Sequence, residues 1–461
     1  MGAGGRSAHS RHAGPAERGS DGAASRIVPA LGAISAGAAG SAVGGGGEFR
    51  GAAVAGRLGF DGDGTARWRG GQGVRVCHVI TRLIIGGAQE NTVLTCRGLV
   101  ERGHEVLLAA GRETGPEGSL WPQAERSGAD LVRLEHMRRA VNPLHDLRAL
   151  RELVSLFRRT KPDIVHTHSS KAGILGRAAA ARAGVPMIVH TIHGMSFNRT
   201  QGAASRATYR FLERRAGRHT HAFISVADAM TDQAVAAGIA PRARFTTIRS
   251  GMETDRFRPD AAARAAARAA WGAGDDDVVI GTIARLFDNK GYEEILAAMP
   301  AMVRGAPEAR FVWVGDGARR EAYRERLARI GLEGRVTFAG LMPPEEVARL
   351  LSGFDILVHA SRWEGLPRAV VQALLCEVPA VSFDNDGAAE VVLDGVTGRL
   401  VRYGEVEGLA RAVIELAKDA GMRARLGAEG RRRVVQDFDW RTMVERIERV
   451  YAALREARGG C

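Results

Sequence analysis

Lysine is nearly absent from this chain. Of its 65 basic residues only Lys161, Lys171, Lys290 and Lys418 are lysine; the rest are arginine. Such heavy use of Arg, Ala and Gly matches a GC-rich coding bias, so part of the arginine excess is compositional. Cysteine is scarce too. Cys77, Cys96, Cys376 and Cys461 are scattered with no metal-type spacing and no close pair, which argues against a disulfide framework and suits a reducing compartment. No run of 18 strongly apolar residues occurs. The nearest stretch, residues 27–43, is dominated by Ala, Gly and Ser and interrupted by Pro29, too weakly apolar for a spanning helix or a signal core. The expectation is a cytoplasmic protein whose membrane contact is at most peripheral. Neither G-x-G-x-x-G nor G-x-x-x-x-G-K-[ST] is found, which counts against NAD and against a P-loop nucleotidase.

What is there is long enough for two domains: 461 residues, 45% hydrophobic and 25% charged. The formal charge of +13 is unevenly spread. Residues 74–259 carry 28 basic and 16 acidic residues, net +12, whereas residues 260–461 carry 29 and 31, net −2. The basic excess therefore belongs to the first folded half, where it could meet anionic lipid or an anionic acceptor, or be a solvated face. Nucleic acid is disfavoured because basic and aromatic residues do not interleave. Residues 1–73 are low-complexity Gly, Ala, Ser and Arg and are expected to be disordered, with Val74 a natural alternative start.

From Val74 onward, short apolar strands alternate with helices. Strands are expected at 74–80, 104–110, 131–134, 164–168, 187–191, 221–225 and 245–248. After a break at 251–259 the rhythm restarts, with strands at 278–284, 311–314, 336–338, 356–359, 380–383 and 398–401 and three closing helices up to residue 456. This βαβ alternation predicts an α/β fold of two doubly wound parallel sheets. The domains are then 74–259 and 260–438, with a C-terminal helix and tail at 439–461. Ligands of such sheets bind beyond the carboxyl ends of the strands, which is where the polar motifs fall.

The richest of these motifs is Ser361-Arg362-Trp363-Glu364-Gly365-Leu366-Pro367-Arg368-Ala369-Val370-Val371-Gln372. An acid on a Gly-containing turn precedes a helix, with Pro367 suited to its first position and an amide, Gln372, eight residues after the acid. Helix N-terminal N–H groups favour a phosphate, and an ionised Glu364 suits sugar hydroxyls. Arg285 and Lys290, five residues apart after a strand, suit a diphosphate. Gly86 and Gly87 open the first helix and allow close backbone approach, although any tight strand-to-helix turn calls for glycine. Gly315-Asp316-Gly317 could shape a pocket wall or be a plain turn, and Leu341 lies in a segment able to offer backbone groups to a base. His193, past a strand and before Gly194, could polarise a sugar hydroxyl or shuttle a proton. His166, His168, His190 and His193 lack a Cys or acid to complete a metal site. The pattern D-x-D occurs at Asp61, Asp275 and Asp384, too often to signal metal, and Asp384–Asp386 reads as a strand-end loop with Glu390 starting the next helix.

Taken in order, several segments resemble family 4 glycosyltransferases of the GT-B fold, particularly bacterial cell-surface polysaccharide enzymes. They are Gly86-Gly87, Thr191-Ile192-His193-Gly194, Ile224-Ser225-Val226-Ala227, Ile248 to Glu253, Ala284 to Gly291, Val314 to Gly317 and Glu364 to Val381, spanning about Val74 to Tyr451. The resemblance implies two Rossmann-like domains facing a cleft, a final helix crossing back to the first, and retaining transfer of a hexosyl group without metal or cofactor. The partners it implies are a UDP- or GDP-linked sugar and a glycan or lipid-linked acceptor. Arg285 and Lys290 would hold the diphosphate, Gly87 would approach it from across the cleft, and Glu364 with the backbone of Gly365, Leu366 and Pro367 would position the donor sugar beside His193. The chain departs from the family at Gln372, where the family has a Glu for the ribose. Two rivals share the residues: a UDP-N-acetylglucosamine 2-epimerase, which needs no acceptor, and a non-catalytic sugar-nucleotide or polysaccharide binder.

Overall fold

The apolar runs of the sequence become two parallel sheets in the computed structural model, which describes residues 54–55, 59–60, 66–68, 73–113 and 117–459. The first sheet runs, edge to edge, through Val54–Ala55, Asp130–Leu134, Glu105–Gly111, Arg75–Arg82, Ile164–His168, Met187–Ile192, Ala222–Ser225 and Phe245–Thr247. All its neighbours pair in parallel except Val54–Ala55, which adds antiparallel to Asp130–Leu134. The second sheet runs through Val336–Gly340, Ala309–Val314, Val278–Ile283, Ile356–His359, Ala380–Asp384 and Gly398–Arg402, all parallel. Strands such as Ile164–His168 and Met187–Ile192 are buried at every position. Helices cover both faces of a parallel sheet, so its strands read as continuous apolar runs and not as alternations.

Strand order reverses at Arg75–Arg82 in the first sheet and at Val278–Ile283 in the second. Crevices open at such reversals, and the two sheets present theirs to each other. An apolar floor joins them: Ile192, Phe223 and Met230 pack in one cluster with Leu366, Val370 and Leu374. Helix starts follow local chemistry. Asn142 accepts hydrogen bonds from the N–H groups of Leu144 and His145 to begin Pro143–Thr160, and Asp260 caps Ala261–Ala270 through the Ala263 N–H.

The last helix, Trp440–Gly459, returns to the first sheet. Trp440, Met443, Val444, Ile447 and Tyr451 are buried in one cluster with Val76, Ile80, Val93 and Leu99. It crosses the helix Gly87–Glu101 so closely that a β-carbon on Gly98 would stand 2.6 Å from Val444 Cγ2. The segment before Val74, expected from its composition to be disordered, holds order at a few positions: the Val54–Ala55 edge strand, a Gly59–Phe60 to Ala66–Arg67 pair, and the Trp68 indole N–H on the Thr160 carbonyl at 2.5 Å. The D-x-D at Asp61, Cys461 and the rest of that segment lie outside the described residues.

Candidate active site

A cavity of about 1080 Å³ opens between the two sheets, at the carboxyl ends of their central strands. From the first side come Gly86, Gly87 and His193; from the second come Arg285, Lys290, Gly315, Leu341, Glu364, Leu366 and Gln372. Ten of the residues singled out in the sequence thus meet in one space, brought from positions up to 286 apart in the chain. Gly365 lines an adjoining cavity of about 290 Å³, which it shares with His193, Arg285, Lys290 and Glu364. Pro367 lines neither. It is the residue before the first turn of Arg368–Leu375, not the first helical residue as the sequence suggested. Its ψ of 87° is not helical, so the turn ends one residue later than expected.

Glu364 is held from several directions. Its carboxylate takes the Lys290 ammonium at 2.5 Å, with His359 Nε2 at 3.8 Å, and its N–H donates to Asp386 Oδ2 at 2.8 Å. Burial alone would raise the Glu364 carboxyl. The charge of Lys290, its hydrogen bond to the carboxylate and the nearby His359 together outweigh burial and hold the group below the usual carboxylate range, so Glu364 is an anion at neutral pH. Asp386 also accepts from the Gln233 amide at 2.8 Å, and Asn385 donates to the carbonyls of Ser361 and Arg362. The loop at Asp384 therefore builds the Glu364 turn, with its polar groups used in that work. Glu390 closes the short 3-10 helix Asp386–Glu390 and does not start a helix; it accepts from the Ala229 N–H at 3.0 Å.

The other end of the cavity is cationic. Arg82, Arg285 and Arg139 stand 3.3, 3.6 and 3.9 Å from the same Glu117 oxygen. Three cations on one carboxylate leave a net charge of +2, a complement for a diphosphate. Burial, then Arg139, lowers the Arg285 guanidinium from its usual range while Glu117 and Glu364 oppose them; it stays charged at neutral pH. The sequence motifs do not include Arg82, Glu117 or Arg139. Arg82 carries a signal, since it ends a central strand just before the Gly-Gly turn. The other two carry none, because they sit on connections whose position only the fold supplies.

Arg368 is a further addition from the fold. It donates to the Gly251 carbonyl at 2.9 Å and pairs with Glu90 at 3.0 Å, tying the helix after Pro367 to the first side of the cleft. A β-carbon on Gly87 would lie 2.5 Å from Arg368 Cδ, so Gly87 makes room for this side chain as well as opening a helix. Gly315, at φ 131°, has its missing β-carbon aimed 2.1 Å from the Ala284 carbonyl oxygen, a position that only glycine fits. Gln372 is 8% exposed and lines the cavity.

His193 borders both cavities. Burial, then Arg368, pulls its pKa down to about 3, so the ring is neutral at neutral pH and can exchange hydrogen bonds without carrying charge. Behind it, His78, His166 and His168 bring one nitrogen each within 4.8 Å of one another. Both nitrogens of His166 and both of His168 already have protein partners, which leaves His78 Nε2 alone unpaired in that cluster.

Two family models match the chain consecutively: a glycosyl transferase 4-like domain over residues 86–251 and glycosyl transferases group 1 over residues 263–433. This chain is a family 4 type glycosyltransferase. Among similar proteins is the UDP-Gal:alpha-D-GlcNAc-diphosphoundecaprenol alpha-1,3-galactosyltransferase of Escherichia coli, 24% identical over 82% of this chain and 96% of that protein. Another is the GDP-mannose-dependent alpha-(1-6)-phosphatidylinositol monomannoside mannosyltransferase of Mycolicibacterium smegmatis, 28% identical over 78% of this chain and 94% of that one. Among solved structures, Anabaena HepE in complex with UDP-glucose matches at a TM-score of 0.72 with 21% identity, over 82% of this chain and all of that one. This glycosyltransferase therefore has the GT-B fold anticipated from its motifs.

Proposed function

We propose that this glycosyltransferase moves a hexosyl group from a UDP- or GDP-linked sugar to a hydroxyl of a lipid-linked or polysaccharide acceptor, with retention and without metal. The observation that carries the reading is the alignment across one cavity of an anionic sugar-binding turn, Glu364, with a cluster of net charge +2 around Glu117. The donor diphosphate lies between Arg285, Lys290 and the arginines opposite. Glu364 accepts from the donor sugar's hydroxyls, and Gln372 accepts one bond from the ribose. As the bond from C1 to the phosphate oxygen breaks, the bond from C1 to the acceptor oxygen forms on the same face, and the acceptor's proton passes to the leaving phosphate. Two carboxylates lining the cavity, Glu117 and Glu364, are engaged by cations and serve as poor nucleophiles. Negative charge grows on the leaving diphosphate, where Arg285 and Lys290 oppose it.

Thermal unfolding in EDTA tests the donor side. A nucleoside diphosphate at about 100 times its Kd adds roughly 2.7 kcal/mol, a rise of several degrees for lobes of this size. UDP or GDP, one of the two, is expected to give it, and NAD is not. A rise that appears only with divalent metal would overturn the metal-free reading.

The acceptor side adjoins. A cavity of about 450 Å³ beside Glu364 and Trp363 is lined by Met195, Phe197, Arg206 and Arg210, apolar and cationic together. That mixture suits a lipid-linked diphosphate, and the two relatives above are named for lipid-borne acceptors. On the first side, Val141 and Phe211 are 73% and 63% exposed. With the +12 excess of that half they suit peripheral contact with an anionic membrane at its cytoplasmic face. No helix among the described residues is long and apolar enough to cross one. Exchanging both Arg206 and Arg210 for Gln is expected to raise KM for a diphosphate-linked acceptor by about tenfold or more, the scale of one lost charge-assisted hydrogen bond. KM for an uncharged alkyl glycoside should stay unchanged. Equal effects on both acceptors would remove the phosphate from this cavity.

A further inference from the structure

Behind His193 stands a row of imidazoles that the reaction above does not use. His193 Nε2 lies 3.1 Å from His168 Nδ1, and His168 Nε2 lies 2.9 Å from His78 Nδ1. His168 lies on the strand next to that of His78, two residues beyond its register partner His166, and the His168 and His78 rings are near-parallel at 16° with centroids 5.2 Å apart. The row ends blind, because His78 Nε2 is buried with no hydrogen-bond partner. His166, stacked on His168 at 4.4 Å, does not divert it. Its own nitrogens are engaged by the Tyr451 hydroxyl at 2.5 Å and the Thr191 hydroxyl at 2.7 Å. Burial keeps all three rings of the row neutral, so each carries a single N–H.

Only two proton arrangements preserve both bonds. With every proton on Nδ1, donation runs outward from His78 to His168 to His193. With every proton on Nε2 it runs inward and leaves the His78 Nε2–H facing no acceptor. Buried orphan donors are rarer than under-used acceptors, so the blind end sets the direction outward. We infer that His168 and His78 are positioning residues that hold His193 as its Nδ1–H tautomer, presenting a hydrogen-bond donor to a substrate hydroxyl oxygen in the cleft. His193 Nε2, already accepting from His168, is unavailable as a base. That role extends the transferase reading, since it names which ring nitrogen meets the sugar.

The tautomer is measured without any substrate. In the full chain labelled with 15N-histidine, long-range 1H–15N correlation is expected to show His193 with Nδ1 protonated and Nε2 bare. The peaks are assigned by their loss in His193→Gln. A protonated Nε2 on His193 would overturn the inference and leave the transferase assignment untouched. His168→Leu removes the donor, so His193 should become a tautomer mixture and transfer should fall about tenfold, the worth of one hydrogen bond. His168→Asn, whose amide N–H can replace Nδ1–H, should restore the single tautomer and bring transfer within about threefold of wild type. If the Leu variant kept the wild-type tautomer pattern, the positioning role would be lost. Should that variant fail to fold, the wild-type spectrum still decides.

Discussion

Arg285→Ala is expected to lower sugar transfer at saturating donor by at least about a hundredfold, the cost of removing one charge-stabilising donor. The loss should fall on turnover more than on folding. Arg285 stands at the mouth of the cleft with its side chain 38% exposed, and its contacts are a 3.6 Å approach to Glu117 and a place over the Phe287 ring. Removing it opens no core and strands no buried partner, since Glu117 keeps Arg82 at 3.3 Å. Lys290 gives a less clean test, because its loss would also release the Glu364 carboxylate that it holds at 2.5 Å. Arg285→Lys retains the charge without the planar fork and is expected to fall between wild type and Ala. The check is initial-rate transfer of labelled sugar, with melting temperature followed alongside. Transfer within threefold of wild type would mean that the leaving diphosphate lies elsewhere.

Much of this site is legible in the amino-acid sequence, and the reason is topological. Gly86, Arg285 and Glu364 each follow a central strand, and in a doubly wound sheet every such position faces the same crevice. Local pattern plus the rule of strand ends is therefore enough to bring them together. Arg139, Glu117 and Arg368 escape because their roles depend on the approach of the two sheets, which no local pattern encodes. The Asp386 carboxylate escapes for another reason. Along the chain it belongs to a D-x-D that reads only as a strand-end loop; in space it accepts the Glu364 N–H at 2.8 Å and sits at φ 51°, an unusual backbone held by the contacts around it. His78 does carry a signal. It stands in a continuous buried run on the strand Arg75–Arg82, between Cys77 and Val79, and a histidine there needs partners that only neighbouring strands can provide.

Gly365→Ala should lower transfer by about a hundredfold or more while leaving nucleotide binding largely intact. A β-carbon at this position would stand 1.9 Å from the His193 carbonyl oxygen and 2.6 Å from its carbonyl carbon. Both are backbone atoms anchored by the strand Met187–Ile192, so neither can swing aside as a flexible side chain would. The Gly365 carbonyl is fixed too, accepting from the Gly387 N–H at 3.2 Å. Relief can come only by moving the Glu364 turn away from His193, which separates the group proposed to hold the donor sugar from the groups opposite. A displacement of about 1 Å at the reacting centre is enough to cost about a hundredfold in rate. The residues assigned to the diphosphate and ribose, Arg285, Lys290 and Gln372, lie on the same side of the cleft as Gly365, so the nucleotide-dependent rise in melting temperature should persist. Gly194→Ala is the internal control. Its β-carbon would meet the Gly365 N at 3.6 Å, an ordinary contact, and transfer should stay within a few-fold of wild type. Full activity in Gly365→Ala would show that the two sides do not approach this closely during turnover. Equal loss in both variants would point to a general intolerance of the turn, not to the clash with His193.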